Sequence, residues 1–202
     1  AKANEVLAFI NENDLDRQIH LEASSKRYYP YDSLAAQVIG LVGVDGGILG
    51  LELQYDDYLT GTDGKYVTAK DASGQVMRTK YESYVAAKDG NSIYTTIDIA
   101  IQSMLEEQLK RTYTESKAQN RVTGIVMDVE TGAILAMATY PSFNLNDPYT
   151  LDADSRAKLD AMQLAEGSEE YQAAYNTLLY SLWKNKAISE LYEPGSTFKI
   201  IT

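Results

Sequence analysis

Gly124-Ile125-Val126-Met127-Asp128-Val129 and Ala133-Ile134-Leu135-Ala136-Met137-Ala138-Thr139 flank the tight turn Glu130-Thr131-Gly132, and the fold is read from this stretch. Two apolar runs joined by a glycine-containing turn predict a β-hairpin. In the second run the small residues Ala136 and Ala138 alternate with Leu135 and Met137. That pattern suits a sheet with a helix packed close to one face. Asp128 is a charge in an otherwise apolar strand, either paired or facing solvent.

Immediately upstream, Ser92 to Ile97 reads as a strand ending at Asp98, a good helix N-cap. The helix it opens runs to about Ser116, with Ile101, Met104, Leu105 and Leu109 at helical spacing. Downstream, Tyr140 to Pro148 is a loop. Its oxygen-rich side chains invite a calcium reading, but Pro148 falls at the third ligand position counted from Asn144 and breaks the alternation such a loop needs. No metal is expected. Two helical segments follow, about Asp152 to Ala165 and Ser168 to Trp183, the second with Tyr171, Tyr175, Leu178, Leu179 and Leu182 on one side. Asn185 to Ile188 then leads to Leu191-Tyr192-Glu193-Pro194-Gly195-Ser196-Thr197-Phe198-Lys199-Ile200-Ile201-Thr202.

That last stretch carries the candidate chemistry. Pro194-Gly195 is a turn signal and the residues after it hold no breaker. A helix beginning at or near Ser196 places Lys199 one turn on, over the same face. The hydroxyl sits at the positive end of the helix dipole with an amine in reach to take its proton. The spacing S-x-x-K occurs three times, at Ser155/Lys158, Ser181/Lys184 and Ser196/Lys199. The first falls in a polar run that reads as a solvated helix face. The second falls mid-helix, where a serine hydroxyl tends to bond back to a carbonyl. Only Ser196 follows a turn, and on spacing alone an ordinary N-cap is the better reading even there.

The amino-terminal half reads as short elements. Lys2 to Asn13 is an amphipathic helix with Val6, Leu7 and Ile10 on one face. Gln18 to Glu22 is a candidate strand holding His20, the only histidine, which lacks a second histidine or cysteine nearby and reads as an edge or core residue. Arg27-Tyr28-Tyr29-Pro30 is extended. Asp32 or Ser33 can cap a helix through Leu34, Ala35, Val38, Ile39 and Leu41. A second helix spans Leu49 to Leu59, with Leu51, Tyr55, Tyr58 and Leu59 as its apolar face. Lys65 to Met77 reads as a hairpin turning at Asp71-Ala72-Ser73-Gly74, and Arg78 to Asn91 as a connection with one further short strand.

Bulk properties narrow the function classes. The chain has 202 residues, 45% hydrophobic, and a net charge of -11. Phosphate binding needs clustered Lys and Arg, so a nucleic-acid partner is disfavoured, and so is an anionic membrane surface. Cysteine is absent, which removes disulfides and thiolate metal sites. No apolar run reaches the length of a membrane span.

Several segments together resemble a class B penicillin-binding protein, the peptidoglycan D,D-transpeptidase of a bacterial cell wall. Arg27-Tyr28-Tyr29-Pro30, Leu34 to Gly40, Gly50-Leu51-Glu52 and Tyr55 to Gly61 resemble its pedestal, or dimerisation, domain. Thr95-Thr96-Ile97-Asp98-Ile99-Ala100-Ile101-Gln102 resembles the helix opening its transpeptidase domain. Thr131 to Met137 with Pro141-Ser142-Phe143 resembles that domain's first hairpin. Glu193-Pro194-Gly195-Ser196-Thr197-Phe198-Lys199 is similar to its acylation motif.

The resemblance implies an α+β fold: an irregular pedestal over residues 1–95, then the leading part of a transpeptidase domain over residues 96–202, an antiparallel sheet with flanking helices. It implies Ser196 as acylated nucleophile, Lys199 as general base, and the Ser196 backbone N–H as one oxyanion donor. It implies a D-Ala-D-Ala stem peptide as substrate, β-lactams as acylating inhibitors, cell-wall synthesis proteins as partners and no cofactor. It also implies the outer face of the cell membrane, with an anchor in the parent protein. The family relies on two further motifs, S-x-N and K-T-G, and neither is read in this chain. The chain therefore reads as an internal piece, catalytically inactive alone; acylation of the 202-residue polypeptide by a labelled penicillin would overturn that. Lys186 stands where the family often has Arg, and the helical insert from Asp152 to Trp183 is long for it. A truncated sheet leaves an edge and an apolar face that invite self-association. Other readings are a non-catalytic scaffold of the cell-wall machinery and a β-lactam sensor or β-lactamase relative. The pedestal-like region disfavours the sensor and the lactamase.

Overall fold

The computed structural model describes residues 2–15, 18–19, 21, 26–67, 69–70, 76–77, 83–118 and 120–201. The first element, α1 (Lys2–Glu12), is the expected helix, with Ile10 buried and Val6 and Leu7 exposed. Gln18, expected in a strand, lies in a turn, and His20 is outside the described residues.

The next two helices are shorter than their sequence pattern predicts. The first is α2 (Ala36–Ile39), and neither Asp32 nor Ser33 caps it. Ala35, just before it, is left-handed at φ 53, which stops helical geometry from extending further back. The Asp32 carboxylate instead accepts a hydrogen bond from Asn146 Nδ2 at 2.9 Å. The expected helix from Leu49 to Leu59 is broken at Tyr55 into α3 (Gly50–Gln54) and α4 (Asp56–Leu59). The break turns Tyr55 and Tyr58 to solvent, against the expected apolar face. The buried residue of α3 is Glu52, which binds Arg27 Nε at 2.7 Å. That carboxylate holds the Arg27 guanidinium above its ordinary pKa through a direct hydrogen bond.

Short strands follow: β1 (Lys65–Val67), β2 (Ala69–Lys70), β3 (Val76–Met77) and β4 (Ser83–Val85). β2 and β3 pair antiparallel, as the hairpin reading requires, and β1 pairs with β4. The turn Asp71 to Gly74 lies outside the described residues. Ser92 to Ile97 is not a strand. Its end is tied to the later hairpin by two hydrogen bonds, from Thr96 Oγ1 to Ile134 O and from the Asp98 N–H to Leu135 O.

The helix α5 (Ile99–Ser116) starts where expected, because the Asp98 carboxylate accepts the otherwise unpaired N–H groups of Ala100 and Ile101 at 2.9 and 3.0 Å. The deciding hairpin consists of β5 (Val122–Met127) and β6 (Ile134–Tyr140), paired antiparallel from Val122↔Tyr140 to Met127↔Ile134. It sits two residues earlier in its first strand than the apolar run indicates. Asp128 and Val129 belong to the turn, because Asp128 accepts from the Glu130 N–H at 2.9 Å and from Thr131 Oγ1 at 2.7 Å. These bonds hold the Asp128 carboxyl below its ordinary range. α5 crosses one face of the hairpin, where Gly124 lets Leu105 and Leu109 approach. Met104, expected on that face, is exposed, and Gln102 is fully buried.

Two helices follow the loop: α6 (Ala153–Ala161), capped by Asp152, and α7 (Glu169–Trp183), capped by Ser168. Ser155, expected on a solvated face, is buried in the first turn of α6. α8 (Lys186–Ser189), capped by Asn185, lies against both strands of the hairpin. A 3₁₀ helix, Gly195–Ile200, ends the described chain.

The main core draws on both halves of the sequence. Tyr29, Ala36 and Leu41 pack with Phe143, Leu145, Leu179, Leu182 and Trp183. Polar contacts run alongside. Leu145 N–H donates to Asp32 O at 3.0 Å. Asn146 accepts the Tyr29 N–H at 3.0 Å and returns its amide to Tyr29 O at 2.8 Å.

Candidate active site

The short helix α8, which precedes the segment that carries Ser196, rests on the hairpin. Asn185 donates to Met137 Sδ on β6 at 3.4 Å and accepts the Ala187 N–H at 3.1 Å, so one side chain both seats and caps α8. At the end of α8, Glu190 is held between Lys186 at 3.2 Å and Lys184 at 3.5 Å. The hydrogen bond from Lys186 is the chief reason its carboxyl lies below the ordinary range. Leu191 to Pro194 is an exposed, irregular run.

Gly195 then adopts φ 56, a left-handed backbone that glycine enters without a Cβ clash. The chain turns there into the 3₁₀ helix, with Ser196 in its first turn and Lys199 three residues on. In a 3₁₀ helix residues three apart eclipse, so hydroxyl and amine share a face more directly than on the α-helix the spacing suggests. Both side chains are exposed, and among the described residues neither carries a hydrogen bond or an ion pair. Neither other tetrad has this setting. Ser155 is buried, and the carbonyl of Ser181 near the end of α7 accepts from Arg121.

A tripeptide of S-x-N form does stand upstream, at Ser142-Phe143-Asn144, where the sequence reading passed over it. Its members are occupied in the loop. Ser142 Oγ bonds Gln37 Oε1 at 3.4 Å, Phe143 is in the core, and Asn144 accepts the Asn146 N–H at 2.8 Å. The same use of oxygens accounts for the loop's calcium-like composition. Among the described residues no cluster of acids and histidine could hold a metal ion.

Two concave features lie elsewhere. An open depression of about 390 Å³ is lined by Lys26, Arg27, Tyr28, Asp32 and Asn146, at the seam between the extended segment and the loop. A smaller cleft of about 50 Å³ involves Tyr113, Arg121, Asp152, Asp154 and Lys158. There burial lowers the pKa of the Arg121 guanidinium, and the hydrogen bond from the Tyr113 hydroxyl to Asp154 at 2.6 Å pushes the phenol up to about 12. Both clefts are seams between packed elements and neither contains Ser196 or Lys199.

The sequence reading missed a set of buried side-chain amides. Gln102 Oε1 accepts the Met137 N–H at 2.9 Å, and its Nε2 donates to Met137 O at 3.0 Å and to Glu106 Oε1 at 2.7 Å. The same Glu106 oxygen accepts the Ala35 N–H at 2.7 Å. Gln37 donates to Leu182 O at 3.4 Å. The available signal was the spacing Asp98, Gln102, Glu106, Leu109, which puts three polar residues on the face of α5 that carries a core leucine.

A mixed fold with an antiparallel hairpin covered by helices carries a serine and a lysine three residues apart after a Pro-Gly turn, residue types that serine acyl transfer uses. The comparisons give the family. The penicillin-binding protein dimerisation domain matches residues 3–95, and the penicillin-binding protein transpeptidase domain matches residues 122–202. Peptidoglycan D,D-transpeptidase FtsI of Buchnera aphidicola subsp. Schizaphis graminum is 35% identical over 185 residues, covering 91% of this chain and 27% of that protein. Stage V sporulation protein D of Bacillus subtilis is 30% identical over 201 residues, covering 99% and 27%. The crystal structure of penicillin-binding protein 2X from Streptococcus thermophilus superimposes with a TM-score of 0.59 at 27% identity, over 98% of this chain and 27% of that one. The chain belongs to the penicillin-binding proteins, and it spans about a quarter of the length of the curated relatives it matches.

Proposed function

We propose that this chain is part of a peptidoglycan D,D-transpeptidase in which Ser196 is the acylated nucleophile and Lys199 its general base. The observation that carries the reading is the 3₁₀ turn after Pro194-Gly195, which presents Ser196 with Lys199 three residues on, inside the segment matched by the transpeptidase domain. Ser196 Oγ attacks the carbonyl of the penultimate D-Ala of a stem peptide and its proton passes to Lys199 Nζ. The peptide C–N bond breaks and the terminal D-Ala leaves with that proton. An amine of a neighbouring strand then attacks the serine ester, forming the cross-link and returning the hydroxyl. The Ser196 backbone N–H is one donor to the oxyanion. A β-lactam acylates the same oxygen through its strained amide.

On this reading residues 1–95 are the pedestal and 96–202 the leading part of the catalytic domain, at the outer face of a bacterial cell membrane, with other cell-wall synthesis proteins as partners. We further propose that the apolar side chains exposed around the hairpin and the final helix, Ile125, Met127, Ile188, Leu191, Ile200 and Ile201, let a polypeptide of these residues pair with a second copy.

The test of the serine is mass mapping of the full-length protein after exposure to a β-lactam. The tryptic peptide Ala187 to Lys199 gains the mass of the opened drug, and S196A removes the gain. K199M lowers the acylation rate by about 10²–10⁴-fold, the usual contribution of a general base. An adduct on any other residue, or undiminished labelling of S196A, overturns the assignment.

A further inference from the structure

We infer that Gln102 and Glu106 are positioning residues for Ser196. The inference rests on the reading of Ser196 as the acylated residue and adds what sets its place. β6 has one edge paired with β5, and on that strand the Gln102 carboxamide takes both polar backbone groups of Met137, at 2.9 and 3.0 Å. A side-chain amide presents one acceptor and two donors in a plane, so it satisfies a strand residue as a neighbouring strand would. Gln102 is fully buried and its remaining donor goes to Glu106 Oε1 at 2.7 Å. That oxygen also holds the N–H of Ala35, the left-handed residue at the start of α2.

On its side-chain end Met137 meets the start of α8, the helix that precedes the nucleophile's turn. Met137 Sδ accepts from Asn185, the cap of α8, and α8 leads through Glu190 and the exposed run Leu191 to Pro194 into the turn that presents Ser196. One strand residue is thus gripped by the helix that carries the Gln102–Glu106 pair and touched by the residue that seats α8. Gln102 is the buried member of this network, and removing it or its partner Glu106 leaves polar groups unpaired, so that the strand shifts to find new partners. A shift at Met137 moves the seat of α8, and a misplacement of about 1 Å in a reacting group is worth about 10²-fold in rate. The network also includes the backbone of Ala35, so the placement of α2 bears on the same strand.

The experiment follows acylation of the full-length protein by a fluorescent penicillin at a series of drug concentrations, which separates the binding constant from the limiting acylation constant. Q102M and E106L remove the hydrogen bonds at near-constant volume. They are expected to lower the acylation constant about 10–100-fold with binding changed less than about twofold. E106Q keeps an oxygen for both donors and is expected to restore wild-type acylation. M137L keeps the backbone clasp and loses only the sulfur contact, and a smaller fall of a few-fold is expected. Wild-type acylation constants in folded Q102M and E106L overturn the inference. So does a loss confined to the fraction of active protein, which is the mark of a merely structural role. If those two variants do not fold, M137L decides, and a wild-type constant for it overturns the proposal. No acylation of Ser196 in the wild type refutes the functional reading itself, an outcome distinct from all of these.

Discussion

Two carboxamides satisfy backbone groups at the residue scale that no apolar side chain could. Asn146 answers the N–H and C=O of Tyr29, and Gln102 those of Met137, each replacing a strand with one side chain. Tyr29 is buried and its bonds to Asn146 are partly shielded, so its backbone loses two partners when Asn146 is removed. N146A is therefore expected to lower stability by about 1–3 kcal/mol, the desolvation cost of an unpaired buried group. Urea unfolding of both proteins checks it, and an unchanged midpoint would show that the clasp contributes nothing. The Tyr113–Asp154 pair is legible by pH. The hydrogen bond to Asp154 raises the phenol from 10.0 to about 12. A group whose folded pKa is raised contributes stability that is complete below its unfolded value. That contribution fades from about pH 10 and is gone above about pH 12. The difference in phenolate absorbance between wild type and Y113F should show one titration near 12, and D154N should bring it back toward 10.0. A Tyr113 that titrates at 10.0 in the wild type would refute the pairing.

Elements are decided by a few local rules and by one close approach. Asp98, Asp152, Ser168 and Asn185 each sit where a capping residue is preferred, and each accepts a backbone N–H of its own helix. The sequence reading names Asp98 as a cap and begins helices at about Asp152 and at Ser168, and it assigns no helix at Asn185. The interruptions at Ala35 and Tyr55 were not legible, because nothing in residue type announces a left-handed alanine or a broken helix whose next carboxylate, Asp56, is drawn to the Gly47 N–H at 2.8 Å. Gly124 marks the close approach. A Cβ built there lies 2.8 Å from Leu105 Cδ1, the movable end of a side chain on α5. G124A is expected to change stability by less than about 1 kcal/mol, since the leucine can yield. G124V overpacks the interface and is expected to cost about 1–3 kcal/mol. Equal effects of the two substitutions in thermal unfolding would mean that α5 does not rest on the strand at that point.

At the scale of the whole molecule the core is shared. Leu182, fully buried, packs with residues from Tyr29 to Leu41 as well as with Phe143 and Leu145. L182A is expected to cost about 2–5 kcal/mol and to raise amide exchange in residues 36–41 and in α7 together. Loss of protection in α7 alone would show that the early segment holds itself. Trp183, the single tryptophan, packs against Phe143, Tyr149 and Tyr180, and its fluorescence follows the same transition. Sedimentation of a polypeptide of these residues tests the proposed pairing through the exposed apolar side chains. Association that weakens on changing Ile125 and Ile188 to serine supports it, and a strictly monomeric species at high concentration counts against it.

By itself the sequence determined the local units: the hairpin at its Thr131-Gly132 turn, the starts of α5, α6 and α7, the Pro-Gly turn before Ser196, and the family through ordered segment matches. These follow from short-range rules, the pairing of neighbouring backbone groups and the steric freedom of a few residues. Tertiary structure alone decided which polar residues go inside. Gln102, Glu52 and Ser155 are buried in segments whose composition favours the surface. The partners of the first two, Met137 and Arg27, lie far away in the chain. A buried amide or carboxylate needs a partner, and which distant group supplies it is set by the packing of the core and by no pattern within the segment.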